Sequence, residues 1–315
     1  MKWCGKVFFN HDGGIDDFVS LFLLLQMENV KVIGVGVTPA DCYLEPAVSA
    51  SRKIIGRFGR NTDIKVAKSR ARGKNPFPKE WRMDAFYVDA LPILNEFPTM
   101  QSPMTKLAAH QFMIHRILEC DGPITLIFTG PLTDLAMAIT REPAIVSKIE
   151  RLVWTGGTFT NVGNVNEPNS DGTAEWNSFW DPTAVKTVWK STIPIELVAL
   201  ESVKKIPLTD QVKKQWAKMR KNIGMDFMGQ CMAIAPPNTH FQTNATFALW
   251  DALTISVVSN PSLVRKKEVK SIVRTHGSDQ GRLEQSEVGR PVSIIDEVDR
   301  ERFYAYIAQL GTVQE

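Results

Sequence analysis

Cysteine is scarce in this chain, and the spacing of the few that are present excludes several kinds of protein. The 315 residues contain four cysteines, at positions 4, 42, 120 and 231, and no Cys-x-x-Cys motif. Four scattered thiols cannot staple a protein of this size, so a disulfide-built fold is excluded. We therefore expect a reduced protein whose stability comes from a hydrophobic core.

A strong charge of one sign and a long apolar run are also missing. Lys and Arg number 37 against 34 Asp and Glu, a net charge of +3. Such a small excess predicts neither a nucleic-acid-binding nor a membrane-surface protein. The richest apolar stretch, residues 18–27, is interrupted by Ser20 and Gln26 and is too short to span a bilayer. The first residues lack the apolar region and cleavage site of a signal peptide, so we expect a cytoplasmic location.

What the chain does have is an alternation of strand and helix patterns, and a hydrophobic fraction of 43% that is ordinary for a globular protein. Strands are predicted over 6–10, 30–37, 63–67, 124–129, 151–155, 193–200 and 291–295. Helices are predicted over 16–27, 44–58, 104–120, 132–139, 182–189 and 299–310. This alternation predicts a single α/β domain over residues 1–315, with a mainly parallel, Rossmann-like sheet flanked by helices. We expect residues 69–100 to form a long surface excursion and the chain after about residue 205 to be mostly helical.

Three carboxylates crowd into the segment that follows the first predicted strand. Residues 10–17 read Asn-His-Asp-Gly-Gly-Ile-Asp-Asp, in which two glycines permit a tight turn. Ligands of parallel sheets bind beyond the carboxyl ends of the strands. Because the carboxylates of Asp12, Asp16 and Asp17 would repel one another, the cluster predicts a bound cation or shared protons. The alternative is that Asp16 and Asp17 only stabilise the start of a helix.

Oxygen donors also follow other predicted strands. Thr129 ends a buried strand, and its carbonyl is predicted to be free to point into the crevice. Asp251 opens a helix far downstream, where a simple N-cap is the alternative. Carboxylates and a carbonyl, without spaced Cys or His partners, are hard ligands that favour Ca²⁺ or Mg²⁺ over zinc.

Several ordered segments together resemble the nucleoside hydrolases of the inosine–uridine-preferring superfamily. Residues 10–17 follow the Asp-x-Asp-x-Gly-x-Asp-Asp motif of that family with one change, Asn10 for the first Asp. Four features are most similar to the purine-preferring (inosine–adenosine–guanosine) branch: His11, the tryptophan-containing segment 75–82, and the segments 171–177 and 250–254. The resemblance runs from the first strand to the final helix.

The resemblance implies a Ca²⁺-dependent enzyme that hydrolyses purine ribonucleosides to free base and ribose. The implied metal ligands are three carboxylates and one main-chain oxygen: Asp12, Asp17, Asp251 and Thr129. Asp12 would also be the general base that activates a water. The implied ribose ligands are Asp16, Asn164, Glu175 and Asn177, and the implied base ligands are Asp41, Trp81 and Trp250. Purine-branch relatives are usually dimers, so a homodimer is expected.

These residue types suit the cleavage of an N-glycosidic bond. The sugar becomes oxocarbenium-like in the transition state, and nearby carboxylates stabilise that charge. Trp81 and Trp250 could sandwich the base and favour its protonated form, which would also explain a purine preference. Ordinary packing is the alternative role for each tryptophan.

The sequence also departs from the family pattern. Asn10 removes a charge beside the expected metal site, and Glu201 stands where relatives have Asp. Gln242 and Phe247 replace polar groups near the base end of some purine-branch members, which leaves the accepted bases open. Asn10 argues against a phosphoaspartate mechanism, because it occupies the nucleophile position of the aspartyl phosphatases. A non-catalytic, Ca²⁺-dependent nucleoside-binding protein remains an alternative.

Overall fold

The computed structural model of the chain describes residues 5–97, 99–238 and 249–313, with the backbone alone for 235–238. Within these residues a nine-stranded sheet forms the centre of the molecule. The strands are β1 Gly5–His11, β2 Val30–Val37, β3 Val66–Lys68, β4 Ile124–Phe128, β5 Ile149–Thr155, β6 Ile195–Val198, β7 Val264–Val273, β8 Leu283–Gln285 and β9 Arg290–Val298. Their order across the sheet is β3-β2-β1-β4-β5-β6-β9-β7-β8.

The first seven strands of that order are parallel, and the last two pair antiparallel at one edge. The order β3-β2-β1-β4-β5-β6 is that of a Rossmann-type sheet, which reverses direction of winding between β1 and β4. The single-domain α/β fold with a mainly parallel sheet is confirmed.

Helices cover both faces of the sheet. In chain order they are α1 Ile15–Gln26, α2 Leu44–Phe58, α3 Asp84–Asp89, α4 Pro92–Asn95, α5 Ala109–Glu119, α6 Thr133–Arg141, α7 Trp176–Trp180, α8 Pro182–Trp189, α9 Leu200–Val203, α10 Asp210–Ala217, α11 Ile223–Asn238, α12 Trp250–Ser259 and α13 Arg300–Gly311. Among the described residues no helix combines the length and apolar character needed to cross a bilayer.

Alternate side chains of each central strand enter two separate cores. Val7 and Phe9 of β1 pack on the side of α1 and α2, whereas Phe8 packs on the side of α5. This two-residue period follows from the pleat of a strand. Because both faces are covered, the central strands are apolar throughout, which is why the sequence pattern predicted them well.

The structure corrects three sequence-based expectations. Residues 69–100 are not a simple surface excursion, because Phe77, Val88 and Leu94 in this segment are buried. The helix predicted over 104–120 begins only at Ala109, since Met104 forms a parallel bridge with Val66. The part of the chain beyond residue 205 is not mostly helical throughout, because β7 and β8 lie within it.

Candidate active site

The polar residues that follow the strands meet at the point where the sheet order reverses. β1 lies between β2 and β4, and the segment that carries Asp12 leaves β1 beside Thr129, the residue after β4. The Thr129 amide donates a 3.0 Å hydrogen bond to the Asn10 carbonyl, which joins the two strand ends. Gly13 turns the chain from β1 into α1 with φ +83°, a conformation that suits glycine.

One pocket at this position is lined by all eleven residues that were predicted from the sequence as metal, ribose or base ligands. Its lining includes Asp12, Asp16, Asp17, Asp41, Trp81, Thr129, Asn164, Glu175, Asn177, Trp250 and Asp251. It also includes Phe77, Asp84, Thr155 and Trp176, to which the sequence analysis gave no role. Phe77 and Trp176 lie inside segments that resemble the family, and Asp84 follows Trp81 by three residues, so proximity to those motifs is the signal that could have found them.

Asp17 is fixed by two donors at the floor of the pocket. The Gly14 amide donates to Asp17 Oδ2 at 2.8 Å, and the Thr129 hydroxyl donates to Asp17 Oδ1 at 2.5 Å. Asp17 is therefore more than a residue that favours a helix start, because its carboxylate faces the pocket and contacts the next strand end.

The sequence predicted a free Thr129 carbonyl, but in the structure this carbonyl accepts a hydrogen bond. The Asn177 side-chain amide donates to the carbonyl oxygens of Thr129 and Thr155 at 3.0 Å each. A carbonyl oxygen has two lone pairs, so the Thr129 oxygen can still accept a second interaction. Asn177 thereby holds the ends of β4 and β5 together.

Asp251 lies inside its helix rather than at the N-cap. Leu249 is the N-cap residue of α12, and Asp251 is 5% exposed with its side chain in the pocket. The Thr155 side chain hydrogen-bonds Asp251 and lies 2.5 Å from the Thr254 hydroxyl. The N-cap alternative for Asp251 is therefore wrong.

The pocket is lined by several buried acidic side chains. Burial raises the pKa of Asp12 well above its usual range, and the charges of Asp17 and Asp41 raise it further. Burial and the charges of Asp16 and Asp17 raise the pKa of Asp251 in the same way. Burial, followed by the charge of Asp17, raises the pKa of Asp16 to about 7. Such a group of buried acids holds protons unless a cation balances it.

Another part of the pocket lining is built on the start of α7. Glu175 caps that helix by accepting hydrogen bonds from the amides of Asn177 and Ser178, and it also accepts one from Gly157 at 2.6 Å. Asn164 Oδ1 accepts a 3.0 Å hydrogen bond from the Trp176 amide. These contacts fix polar side chains along one side of the pocket.

Aromatic rings and two further acids line the remaining end. Trp176 meets Trp81 edge-on with ring centroids 5.3 Å apart, and it stacks on Phe77 at 4.7 Å. Burial raises the pKa of Asp84 to about 7, and the charge of Asp16 adds to this effect. Burial also raises the pKa of Asp41, together with the charge of Asp84. A flat group with N–H donors would find complementary surfaces here.

Of the residues singled out by the family resemblance, His11 and Glu201 do not line this pocket. His11 is buried, its Nε2 lies 3.0 Å from the Ser51 hydroxyl, and burial lowers its pKa, which agrees with a local structural role. Glu201 accepts hydrogen bonds from the Thr158 hydroxyl and the Phe159 amide, so it orders the loop after β5. Gln242 and Phe247 lie outside the described residues.

The pocket suits a hard cation by its donor chemistry. Within the described residues no three Asp, Glu, His or Cys side chains form a ready-made metal cage. The donors that line the acidic end are nevertheless all oxygens, and the buried Asp12 Oδ2 has no hydrogen-bond partner among the described residues. Oxygen ligands of this kind fit Ca²⁺ or Mg²⁺.

The sequence model of the inosine-uridine preferring nucleoside hydrolase family matches residues 7–305. The chain belongs to this family. The crystal structure of an inosine-uridine preferring nucleoside hydrolase from Bacillus anthracis is 56% identical, covers 98% of this chain and 99% of its own, and superposes with a TM-score of 0.93. A purine-preferring ribonucleoside hydrolase from Gardnerella vaginalis shares the fold, with a TM-score of 0.79 at 23% identity over 98% of this chain and 99% of its own.

Other relatives of this chain are named as uridine nucleosidases. A "Probable uridine nucleosidase 2" of Arabidopsis thaliana is 27% identical over 88% of this chain and 84% of its own length. A "Probable uridine nucleosidase 1" of Oryza sativa subsp. japonica is also 27% identical, over 65% of this chain, and the match spans 61% of that relative's length. The relatives therefore span purine and pyrimidine names.

Proposed function

We propose that this protein is a Ca²⁺-dependent hydrolase of purine ribonucleosides that releases free base and ribose. The observation that carries this proposal is the lining of the pocket, which combines buried acids with the rings of Trp81 and Trp176 and includes an Asp12 carboxylate oxygen that has no hydrogen-bond partner among the described residues. A ribose and a flat base need these two environments side by side.

The acidic end is the proposed cation site. The proposed ligands are the side chains of Asp12, Asp17 and Asp251 and the main-chain oxygen of Thr129, all of which line the pocket. When bound, Ca²⁺ would supply positive charge that offsets the acids and lowers the pKa of a coordinated water. The choice of Ca²⁺ over Mg²⁺ rests on the resemblance, since hard oxygen donors suit both cations.

Asp12 is the proposed general base. A water oxygen forms a bond to C1′ of the ribose, the glycosidic C1′–N bond breaks, and the water proton passes to the Asp12 carboxylate. Asp12 suits this role because it is 4% exposed and one of its oxygens has no partner among the described residues. The departing base takes up the electron pair of the broken bond and one proton from solvent, and Asp12 then releases the water-derived proton to solvent, so that neutral base and ribose are formed.

The polar walls are the proposed ribose site. Asp16 and Asn177 would hold the 2′- and 3′-hydroxyls, and Asn164 and Glu175 would lie near the 5′-hydroxyl. The anchoring of Glu175 by three backbone amides supports this assignment, because it keeps a buried carboxylate fixed in the pocket. Carboxylates held near the sugar stabilise its oxocarbenium-like transition state.

The aromatic end is the proposed base site. Trp81 and Trp250 would stack on the two faces of the base, and Asp41 would accept hydrogen bonds from its edge. Trp81 is braced edge-on by Trp176, which supports a fixed stacking platform. A second candidate is hydrolysis of uridine, because several relatives are named uridine or pyrimidine nucleosidases.

The test is ribose release from a panel of purine and pyrimidine nucleosides, before and after EDTA treatment. We expect purine-selective release that EDTA abolishes and Ca²⁺ restores better than Mg²⁺. Uridine-selective release would replace the purine assignment.

The Asp12→Ala variant should lose turnover while remaining folded, and normal turnover would refute the general base. If the folded wild type binds Ca²⁺ and nucleoside but releases no ribose, it is a binding protein. A homodimer and a cytoplasmic location remain predictions, the first of which light scattering can check.

A further inference from the structure

A buried polar cluster lies directly behind the pocket wall. Asn10, Thr38 and Asp134 are each 0% exposed. The Asn10 amide donates to Asp134 Oδ2 at 3.5 Å. The Thr38 hydroxyl lies 2.9 Å from Asn10 Oδ1 and 3.0 Å from Asp134 Oδ2 and shares its single proton between them. No proposed ligand or catalytic group belongs to this cluster, so its polar groups need another explanation.

The cluster joins the two strand ends that carry the site. The Asn10 carbonyl accepts the Thr129 amide, and Asp12 follows Asn10 by two residues. Asp134 is the second residue of α6, just past the loop that begins with Thr129 and Gly130. The contact between Asn10 and Asp134 therefore closes the β4–α6 loop against the end of β1.

Two further side chains, those of Ser69 and His110, lie close to the Asp134 carboxylate. The Ser69 side chain hydrogen-bonds its carboxylate, and His110 Nδ1 lies 3.8 Å from its Oδ1. Burial lowers the pKa of His110, against the raising effect of the Asp134 charge. Burial raises the pKa of Asp134, and the hydrogen bonds from Ser69, Thr38 and Asn10 oppose this effect, so the buried carboxyl group depends on these donors being kept in place.

We propose that Asp134 is a positioning residue for the active site and that it forms, with Asn10, a buried amide–carboxylate pair that fixes Thr129 and Asp12. The family motif has an Asp at position 10, whereas in this chain the carboxylate of the pair comes from Asp134 on α6. The replacement by Asn10 then moves a carboxylate rather than removing one. The inference rests on the proposed function where turnover or Ca²⁺ affinity is the readout, whereas the melting temperature is independent of it.

The pair makes a specific prediction about single and double substitutions. Asn10→Asp places two carboxylates in contact, which repel in a dry environment. Asp134→Asn leaves two amides and weakens the charge-assisted hydrogen bond. The double variant N10D/D134N restores one amide and one carboxylate with their positions exchanged. We expect each single variant to lower kcat/KM and Ca²⁺ affinity by about tenfold or more, and the double variant to return within about threefold of wild type.

Three readouts separate positioning from stability. These are the melting temperature of the metal-free protein, Ca²⁺ affinity by calorimetry on the folded protein, and kcat and KM measured separately. The matched control is Asp299→Asn, an Asp-to-Asn change at the N-cap of α13, where Asn caps nearly as well. It should leave Ca²⁺ affinity and kcat/KM unchanged.

Rescue of Ca²⁺ affinity and kcat by the double variant supports the proposal. Single variants that lower the melting temperature but leave Ca²⁺ affinity and kcat intact would show a merely structural role and overturn it. A double variant no better than the worse single variant would show that no exchangeable pair exists. If the wild type releases no ribose, the calorimetric and thermal readouts still decide the inference, so its failure is distinguishable from failure of the proposed function.

Discussion

The Thr129 hydroxyl donates a 2.5 Å hydrogen bond to the Asp17 carboxylate. The same residue offers its main-chain oxygen to the pocket, so a single threonine would set the position of two proposed ligands. The side chain of Thr129 therefore matters as well as its backbone, a point that a sequence motif built on its carbonyl does not convey.

Removal of this hydroxyl should weaken cation binding. In Thr129→Val the Asp17 carboxylate loses one of its two donors while the shape of the side chain is kept. Loss of such an outer contact typically lowers metal affinity or activity by about 10- to 100-fold. Calorimetric titration with Ca²⁺ measures the change, and Thr129→Ser should retain affinity close to wild type. Equal affinity of the Val variant and wild type would contradict the assigned contact.

A methyl group at position 130 should displace the proposed general base. A Cβ on Gly130 would lie 2.7 Å from Cβ and Cγ of Asp12, far closer than atoms pack. Overpacking of this kind lowers stability by about 1–3 kcal/mol, and the resulting shift of the Asp12 carboxylate should lower kcat/KM by about tenfold or more. The control is Gly229→Ala on α11, where a Cβ meets no atom of the described residues within 4 Å. A Gly130→Ala enzyme as active as that control would show that Asp12 tolerates the shift.

The stacking role of Trp81 can be tested with two leaving groups. Trp81→Ala should lower kcat/KM for inosine by about 10- to 100-fold, the range expected when a base loses one aromatic face. The effect on p-nitrophenyl riboside should be much smaller, because that leaving group needs no protonation. Trp81→Phe, which keeps a ring, should fall between wild type and the Ala variant. Equal losses on both substrates would refute the assignment.

The buried acids predict how stability depends on pH. Burial raises the pKa of Glu175 from 4.5 to about 7, against the opposing effect of backbone hydrogen bonds. Because its folded pKa lies above the unfolded value, Glu175 contributes stability that is complete below about pH 4.5 and is lost as the pH rises to about 7. The loss is on the order of 3 kcal/mol.

Denaturant titrations of the chelated protein between pH 4.5 and 7 measure this effect. The free energy of unfolding should fall more steeply with pH for wild type than for Glu175→Gln. The exposed-carboxylate control Glu287→Gln, with a side chain 96% exposed, should follow the wild type. Parallel curves for wild type and Glu175→Gln would rule out a raised pKa at this position.

The central strands and the acidic motif were predictable because their physical signals are local. β1 contains the apolar run Val7–Phe9, β4 is apolar apart from Thr125, and the three acids of the motif follow the end of β1 directly. In a parallel sheet all such ends lie at one edge, so a pattern along the chain fixes a place in space.

The edge of the sheet was missed because its signal is not local. In β7, Ser271 is the one buried residue of ten, and the strand is rich in Lys and Arg. Its pairing with β9 decides its structure, and because β8 pairs only with residues 271–273, the earlier part of β7 forms an edge, where charged residues are usual. The contact between Asn10 and Asp134 was hidden for a similar reason, since the two residues are 124 positions apart.

The pocket draws its walls from segments spread between Asp12 and Asp251. No proteolytic fragment or half-chain can therefore retain a part of the chemistry. During refolding, long-range contacts of this kind form slowly. Binding competence should accordingly be acquired only when the last segments dock, after most of the secondary structure has already returned.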